Sequence, residues 1–365
     1  MSKLFERTEI NGMVLANRFV RSATWEGMAA VDGSVTPRLI SAMAGLAEGG
    51  VGLIISSHTY IRPEGQATPW QIGVYKDELI PGLREMTSAV HARGGRIVMQ
   101  LAHAGAFAPE KITGREALAV SEDQEPGKAR REINGRDLRD LVQAFADGAR
   151  RARAAGFDGV EIHSAHGYLL SQFLSPVFNR RRDQYGGTVQ NRCRLHLEVF
   201  QAVREAVGKD FPVLIKLNCA DFVENGLSLE DSLQVGQMLA GAGLDAIELS
   251  GGLLTGGKMS PSRTGINSEE EEAYFREEAA QFKKSIGIPL ILVGGIRSFN
   301  VAGRLVEDGV ADYISLSRPL IREPALINRW KSGDLSPAGC KSDNGCFIAG
   351  RSGQGIRCTL PLSKF

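Results

Sequence analysis

A chain of 365 residues with 43 lysines and arginines against 42 aspartates and glutamates carries no charge excess that would draw it to nucleic acid or to an anionic membrane surface, so a small molecule is the expected partner. No apolar run approaches the roughly 18 residues of a membrane span, and residues 1–9 lack the apolar stretch of a secretory signal, so a soluble, cytoplasmic protein is expected. Five cysteines are too few in a chain this long for a disulfide framework.

Length alone allows two domains of about 150 residues or one large barrel, and the order of elements decides. Short runs rich in Val, Ile and Leu, each followed by an amphipathic stretch, predict strands at 19–24, 52–57, 96–101, 159–163, 213–217, 246–250, 290–293 and 313–317. Continuous apolar strands fit a parallel sheet buried on both faces. Eight of them, with polar residues and glycines gathered at their C-terminal ends, predict an α/β fold, a (β/α)8 TIM barrel over residues 1–335, with a doubly wound open sheet as the alternative. Between strands three and four, Leu138, Leu141, Val142, Phe145 and Ala149 recur at helical spacing over 137–155 and Gly156 follows as a stop. The loops 104–135 and 251–269 exceed the length a compact barrel needs and are expected to be lids or binding loops, while the charged tract 122–131 reads as a solvated face. Residues 336–365 form a C-terminal tail.

The chemistry concentrates after strand four. His163, His166 and Tyr168 put three titratable rings within six residues. The histidine pair could ligate a metal, but no Cys or carboxylate is spaced to complete a tetrahedral set, and no metal is expected. It could also be a pair of satisfied structural histidines. The reading that fits best has two N–H donors converging on one substrate oxygen, where they stabilise charge that develops during reaction. Tyr168, protonated at neutral pH, can deliver a proton to a carbanion. Its alternative is a loop anchor bonded through the hydroxyl. Asn179, Arg182, Asp183 and Tyr185 read as polar loop architecture.

The loops after strands seven and eight are the usual phosphate seat of such barrels. Here Gly294 and Gly295 let backbone amides approach an anion, the following helix start adds its positive end, and Arg318 beside Ser317 supplies a guanidinium fork. The plainer reading is that the two glycines only turn the chain. Lys216, closing strand five, is either a cation at the barrel mouth or a salt-bridged lysine packed through its stem.

The long pattern from Glu161 through Tyr168, Leu169 to Pro176, and Asn179, Arg182, Asp183, Tyr185, Gly186, Gly187, Asn191 and Arg192 closely resembles the Old Yellow Enzyme family of FMN-dependent ene-reductases (NADH:flavin oxidoreductases), and in particular its single-domain relatives of the 2,4-dienoyl-CoA reductase type. The resemblance implies an FMN held on Gly294, Gly295, Ser317 and Arg318. It places Gln100 on the pyrimidine edge and Lys216 where negative charge develops as the ring is reduced. It also implies ring contacts from Ser22, Ala23, Thr24 and Trp25 and from Ser57 and His58. The position that often carries a redox-tuning Thr or Cys falls on Trp25, one place after Thr24, so either residue could take that role. His58 stands where a small residue is more usual and reads equally as structural or functional. His163 and His166 would grip the substrate oxygen, and Tyr168 would protonate. Trp25, Trp70, Met259 and Tyr274 could shape the pocket.

The implied activity is hydride transfer from NADPH or NADH, through FMN, to the activated C=C bond of an α,β-unsaturated carbonyl compound. An oxidative dehydrogenase or demethylase on the same barrel and a flavin-binding protein without turnover are the alternatives. Cys340, Cys346 and Cys358 resemble the iron–sulfur segment of larger relatives, but Asp343 stands where a thiolate is expected and the sequence given continues into no second flavin domain. A cluster is therefore not expected, and zinc is a minor option. Barrels of this type frequently pair, which leaves a homo-oligomer open.

Overall fold

Eight parallel strands close on themselves in chain order: β1 (Phe19–Arg21), β2 (Leu53–Tyr60), β3 (Ile97–Ala102), β4 (Gly159–Ser164), β5 (Val213–Asn218), β6 (Ala246–Ser250), β7 (Leu290–Val293) and β8 (Tyr313–Leu316), which pairs back onto β1. The computed structural model describes residues 2–122 and 130–361. Each of the first seven strands is followed by a helix: α1 (Pro37–Glu48), α2 (Ile80–His91), α3 (Gly135–Ala154), α4 (Val189–Val207), α5 (Leu229–Gly241), α6 (Arg276–Ser285) and α7 (Phe299–Glu307). Two shorter helices, Arg318–Arg322 and α8 (Leu326–Lys331), follow β8. The helices bury Leu141, Phe145, Val199, Val203, Phe282 and Trp330 against the outer face of the strands.

The barrel interior is built in layers by the two-residue alternation of its strands. Val20, Val98, Leu214, Ala246 and Tyr313 form an apolar plug with Ile10, Met13 and Leu15 of an N-terminal hairpin. Two residues further along the same strands stand Ser22, Gln100, Lys216, Glu248 and Ser315, all buried. The change from apolar to polar over one repeat is what turns a packed core into the floor of a site.

Several boundaries differ from those the sequence predicts. The second strand runs on to Tyr60 rather than stopping at residue 57, because its register shifts between Ile55 and His58 and brings His58 opposite Gln100. An irregularity of this kind re-aims a side chain without ending the ladder. β1 ends at Arg21, after which residues 22–25 leave the ladder. α3 begins two residues early, at Gly135, because Asn134 caps it and Asp137 completes a capping box.

The loop after β3 carries structure of its own: Ala117–Ala119 pairs with Arg130–Glu132, and Arg131 grips Asp137 with two bonds of 2.6 and 2.7 Å. Residues 123–129 of the charged tract lie outside the described residues. Asn179 donates to the carbonyls of Phe173 and Tyr185, as expected of loop architecture. The segment after residue 335 folds back over the barrel mouth. Ala338 N bonds Arg297 O at 2.8 Å, Gly265 N bonds Ser342 O at 3.2 Å, and Ile356 N bonds Glu26 O at 2.7 Å. No helix among the described residues is long and apolar enough to cross a membrane.

Candidate active site

At the C-terminal ends of the strands lies an open cavity, about 1010 Å³ of non-atom space counting the solvent at its mouth. Its floor is the polar layer. Lys216 Nζ donates to Glu248 Oε2 at 2.7 Å and to Ser22 Oγ at 2.7 Å, and Ser315 Oγ donates to Glu248 Oε1 at 2.6 Å. Beside them Gln100 Nε2 donates to Glu161 Oε2 at 2.6 Å. Lys216 is therefore both a salt-bridged buried lysine and a cation lining the cavity, the two readings its sequence left open.

One wall is aromatic and imidazole. The ring centroids of Tyr168 and His163 lie 4.9 Å apart, those of His163 and His166 5.4 Å, and those of His58 and Tyr168 5.5 Å. All four line the cavity. Burial lowers the His163 and His166 pKa values well below the usual imidazole range, and His58 and the Lys216 charge push both the same way, with His166 adding to the effect on His163. Burial alone brings His58 down to about 4. Three neutral imidazoles result, each with one N–H and one lone pair. His163 Nδ1 is buried without a partner. A buried orphan lone pair is tolerated better than an orphan N–H, which puts the proton on Nε2. His166 Nε2 bonds Ser250 Oγ at 2.8 Å.

The His166 backbone sits at φ 64°, left-handed for a residue that is not glycine. It is held there by Asn218 Oδ1, which accepts from His166 N at 3.1 Å, and by Leu254 N, which donates to His166 O at 3.1 Å. Such over-determined strain concentrates at functional sites. Burial also raises the Tyr168 pKa above its ordinary value, so the phenol stays protonated.

The opposite end is cationic. Gly295, Ile296, Arg297, Ser317, Arg318 and Ser342 line it. Arg318 Nη1 is steadied by Asn344 Oδ1 at 2.8 Å, and Arg297 Nη1 by Cys340 O at 2.9 Å. Gly295 has φ 74°, and a Cβ there would meet the Tyr274 ring at 2.7 Å, so the backbone approaches the cavity as only glycine allows. Two amides just before the α7 start are already taken. Glu272, fully buried, accepts from Arg297 N at 2.8 Å and from Ser298 N at 2.9 Å, which occupies those amides from inside. An incoming phosphate would instead meet Gly295, Ser317 and Arg318.

Of the residues singled out from sequence, Ser22, Ala23, Thr24, Trp25, His58, Gln100, His163, His166, Tyr168, Lys216, Gly295, Ser317 and Arg318 all line the cavity. Ser57 and Gly294 do not. Ser57 is buried within β2, and Gly294 packs against Tyr274 and Phe275. Thr24 Oγ1 bonds Ser317 Oγ at 2.7 Å, whereas the Trp25 indole N–H donates to Pro69 O at 3.1 Å. Trp25 braces the loop while Thr24 presents a hydroxyl. Tyr274 lines the cavity, but Trp70 and Met259 do not; Trp70 packs against Gly353.

Sequence reasoning missed Ser250, Ser262, Arg297, Ser342 and Phe347 on the lining and the carboxyls Glu161 and Glu248 beneath it. Glu161 and Glu248 were detectable: each lies two residues before a lining side chain, His163 and Ser250, and so shares its face. Ser342 and Phe347 come from the folded-back tail and leave no local signal. Among the described residues no group of three or more His, Cys, Asp or Glu is arranged to hold a metal, and Cys358 Sγ instead accepts from Arg322 at 3.3 Å.

A barrel whose cavity has an amide and a cation at its floor and Arg297 and Arg318 on its lining has the donor set for a flavin mononucleotide. The comparisons agree. A sequence model of the NADH:flavin oxidoreductase / NADH oxidase family matches residues 3–335. The chain is 36% identical over 366 aligned positions to the NADH oxidase of Thermoanaerobacter brockii, covering 98% of this chain and 55% of that protein. It is 35% identical over 324 positions to the NADPH dehydrogenase of Geobacillus thermodenitrificans (strain NG80-2), covering 88% of this chain and 91% of that one. The structure of the Old Yellow Enzyme homologue from Zymomonas mobilis superposes with a TM-score of 0.79 at 28% identity, covering 93% of this chain and 96% of the other. The chain thus belongs to the NADH:flavin oxidoreductase / NADH oxidase family, a class of FMN-dependent oxidoreductases. It spans about half the length of the NADH oxidase and nearly all of the NADPH dehydrogenase.

Proposed function

We propose that the chain reduces the activated C=C bond of an α,β-unsaturated carbonyl or related compound with electrons from NADPH or NADH. The observation that carries this reading is the convergence of His163, His166 and Tyr168 on one wall of the cavity above Lys216 and Gln100. When bound, FMN supplies the hydride chemistry, accepting hydride from the nicotinamide and passing it to the alkene.

Every other task falls to the chain. Gly295, Ser317 and Arg318 would hold the phosphate and Gln100 the ring edge, while Lys216 would balance negative charge on the reduced ring. His163, protonated on Nε2, donates to the substrate oxygen. His166 can donate from Nδ1 only if Ser250 gives its own proton to Nε2, so the 2.8 Å bond between them sets the tautomer that binding requires. Two neutral donors aimed at one oxygen stabilise the charge that builds on it as the β-carbon accepts hydride. Tyr168, held as a phenol, then protonates the α-carbon.

The test is an anaerobic spectral titration. Flavin absorbance that bleaches with NADPH and returns on adding cyclohexenone supports the proposal. Absorbance that ignores enones and returns only with another acceptor rejects it.

A further inference from the structure

We propose that Glu161 and Glu248 hold a single proton between them under the cofactor pocket, and that through it they act as positioning residues for Gln100 and Lys216. The inference deepens the flavin reading above and rests on it where it concerns the cofactor. Both carboxyls are fully buried in the barrel interior, Glu161 from β4 and Glu248 from β6, and they are in contact.

Two carboxylates and one ammonium, Lys216, would leave an uncompensated negative charge there. The next cation inward, Arg21, reaches Glu248 with its charge but is committed to Glu26 at 3.3 Å. Towards the cavity the facing titratable groups are His163, His166 and His58, all held neutral. The remaining partners are uncharged: Gln100 on Glu161, and Ser22 and Ser315 on the Lys216–Glu248 pair.

The two carboxyls are also unequally served. Glu248 accepts from Lys216 and Ser315 on separate oxygens, whereas Oε1 of Glu161 is buried with no donor in reach. An ionised carboxylate left so is costly, and one proton in the carboxyl–carboxyl contact removes both the excess charge and the orphan. Burial and then Glu248 push the Glu161 carboxyl well above its usual range. Glu248 feels the same burial, yet Lys216 and the hydroxyls of Ser315 and Ser22 outweigh it and hold it low.

Two consequences reach the pocket. Gln100 Nε2 is committed to Glu161, so the amide presents Oε1 to the cavity as an acceptor. Lys216 is balanced by one carboxylate rather than overwhelmed by two, so the floor does not oppose negative charge on a reduced ring.

The infrared C=O stretch of a neutral carboxylic acid, read at neutral pH as a difference between FMN-loaded wild type and variant so that Glu26, raised to about 7 and partly protonated there, cancels, tests the shared proton. The band is expected in the wild type and expected to vanish in both Glu161→Gln and Glu248→Gln, because either surviving carboxyl then has Lys216 to itself and ionises. No band in the wild type overturns the proposal. Survival in Glu248→Gln overturns the sharing, since burial alone would then protonate Glu161. The flavin midpoint potential against pH supplies the second readout. An extra alkaline fall in the wild type that Glu161→Gln lacks supports the link to the cofactor, and identical profiles overturn it. Should the protein take up no FMN, the functional proposal fails, while the band measured on the protein alone still decides the proton.

Discussion

Replacing Tyr168 by Phe separates chemistry from packing. The Tyr168 hydroxyl opens on the cavity and has no hydrogen-bond partner among the described residues. The ring is wedged between His163 at 4.9 Å and His58 at 5.5 Å, contacts that Phe retains. Stability should therefore change by less than about 1 kcal/mol, as for a substitution that leaves no polar group unpaired. A positioned general acid contributes about 10²–10⁴-fold, which is about 3–5 kcal/mol of barrier. Stopped-flow kinetics divides the cycle. Reduction of the flavin by NADPH should stay within about twofold of wild type, and reoxidation by cyclohexenone should slow by about 100-fold or more. A reoxidation rate within threefold of wild type, or an equal loss in both halves, would refute the assignment of Tyr168 as proton donor.

Ser250→Ala removes the partner of His166 Nε2 and frees its tautomer; a lost bond of about 1 kcal/mol should raise KM for the enone roughly fivefold while leaving flavin content unchanged. Equal KM values in the two proteins would count against the tautomer argument. Gly295→Ala forces a Cβ to 2.7 Å from the Tyr274 ring at φ 74°, a backbone strain of about 1–2 kcal/mol before the clash. Purified protein should carry much less FMN and melt lower, and a full flavin complement would contradict the phosphate-loop reading. Burial raises Glu26 from 4.5 to about 7 against the opposing pull of Arg21. The folded state then binds this proton more tightly than the unfolded chain, so its contribution is fully present below about 4.5 and is lost as pH rises through about 7. Denaturant titrations from pH 5 to 8 should show a decline that is flatter in Glu26→Gln, and parallel curves would exclude it.

Much of this fold is visible in the order of apolar runs, because each strand must be continuously apolar to lie between barrel and helices. The local departures are long-range effects. Nothing in residues 52–60 announces the register shift that sets His58 opposite Gln100 on the cavity wall. The positive φ of His166 depends on Asn218 and Leu254, both distant in sequence. The wall of His163, His166 and Tyr168 is legible because three polar rings after an apolar strand have few structural uses. The carboxyls beneath were not read, although Glu161 and His163 alternate on one face of β4. Ser342 and Phe347 enter through tertiary folding of the tail, which composition cannot reveal. Glu272 is a long-range effect too: a side chain 25 residues from Arg297 takes the Arg297 and Ser298 amides just before α7.

The most direct test of the central claim is one turnover in deuterated water. Protein reduced anaerobically with unlabelled NADPH is mixed with cyclohexenone and the product analysed by NMR. Hydride delivered to the β-carbon and a proton from Tyr168, whose hydroxyl has exchanged with solvent, to the α-carbon predict cyclohexanone carrying deuterium on the α-carbon next to the carbonyl, when the product is isolated before solvent exchange. Cyclohexanone without deuterium on the α-carbon, or no cyclohexanone from fully reduced protein, would contradict the account.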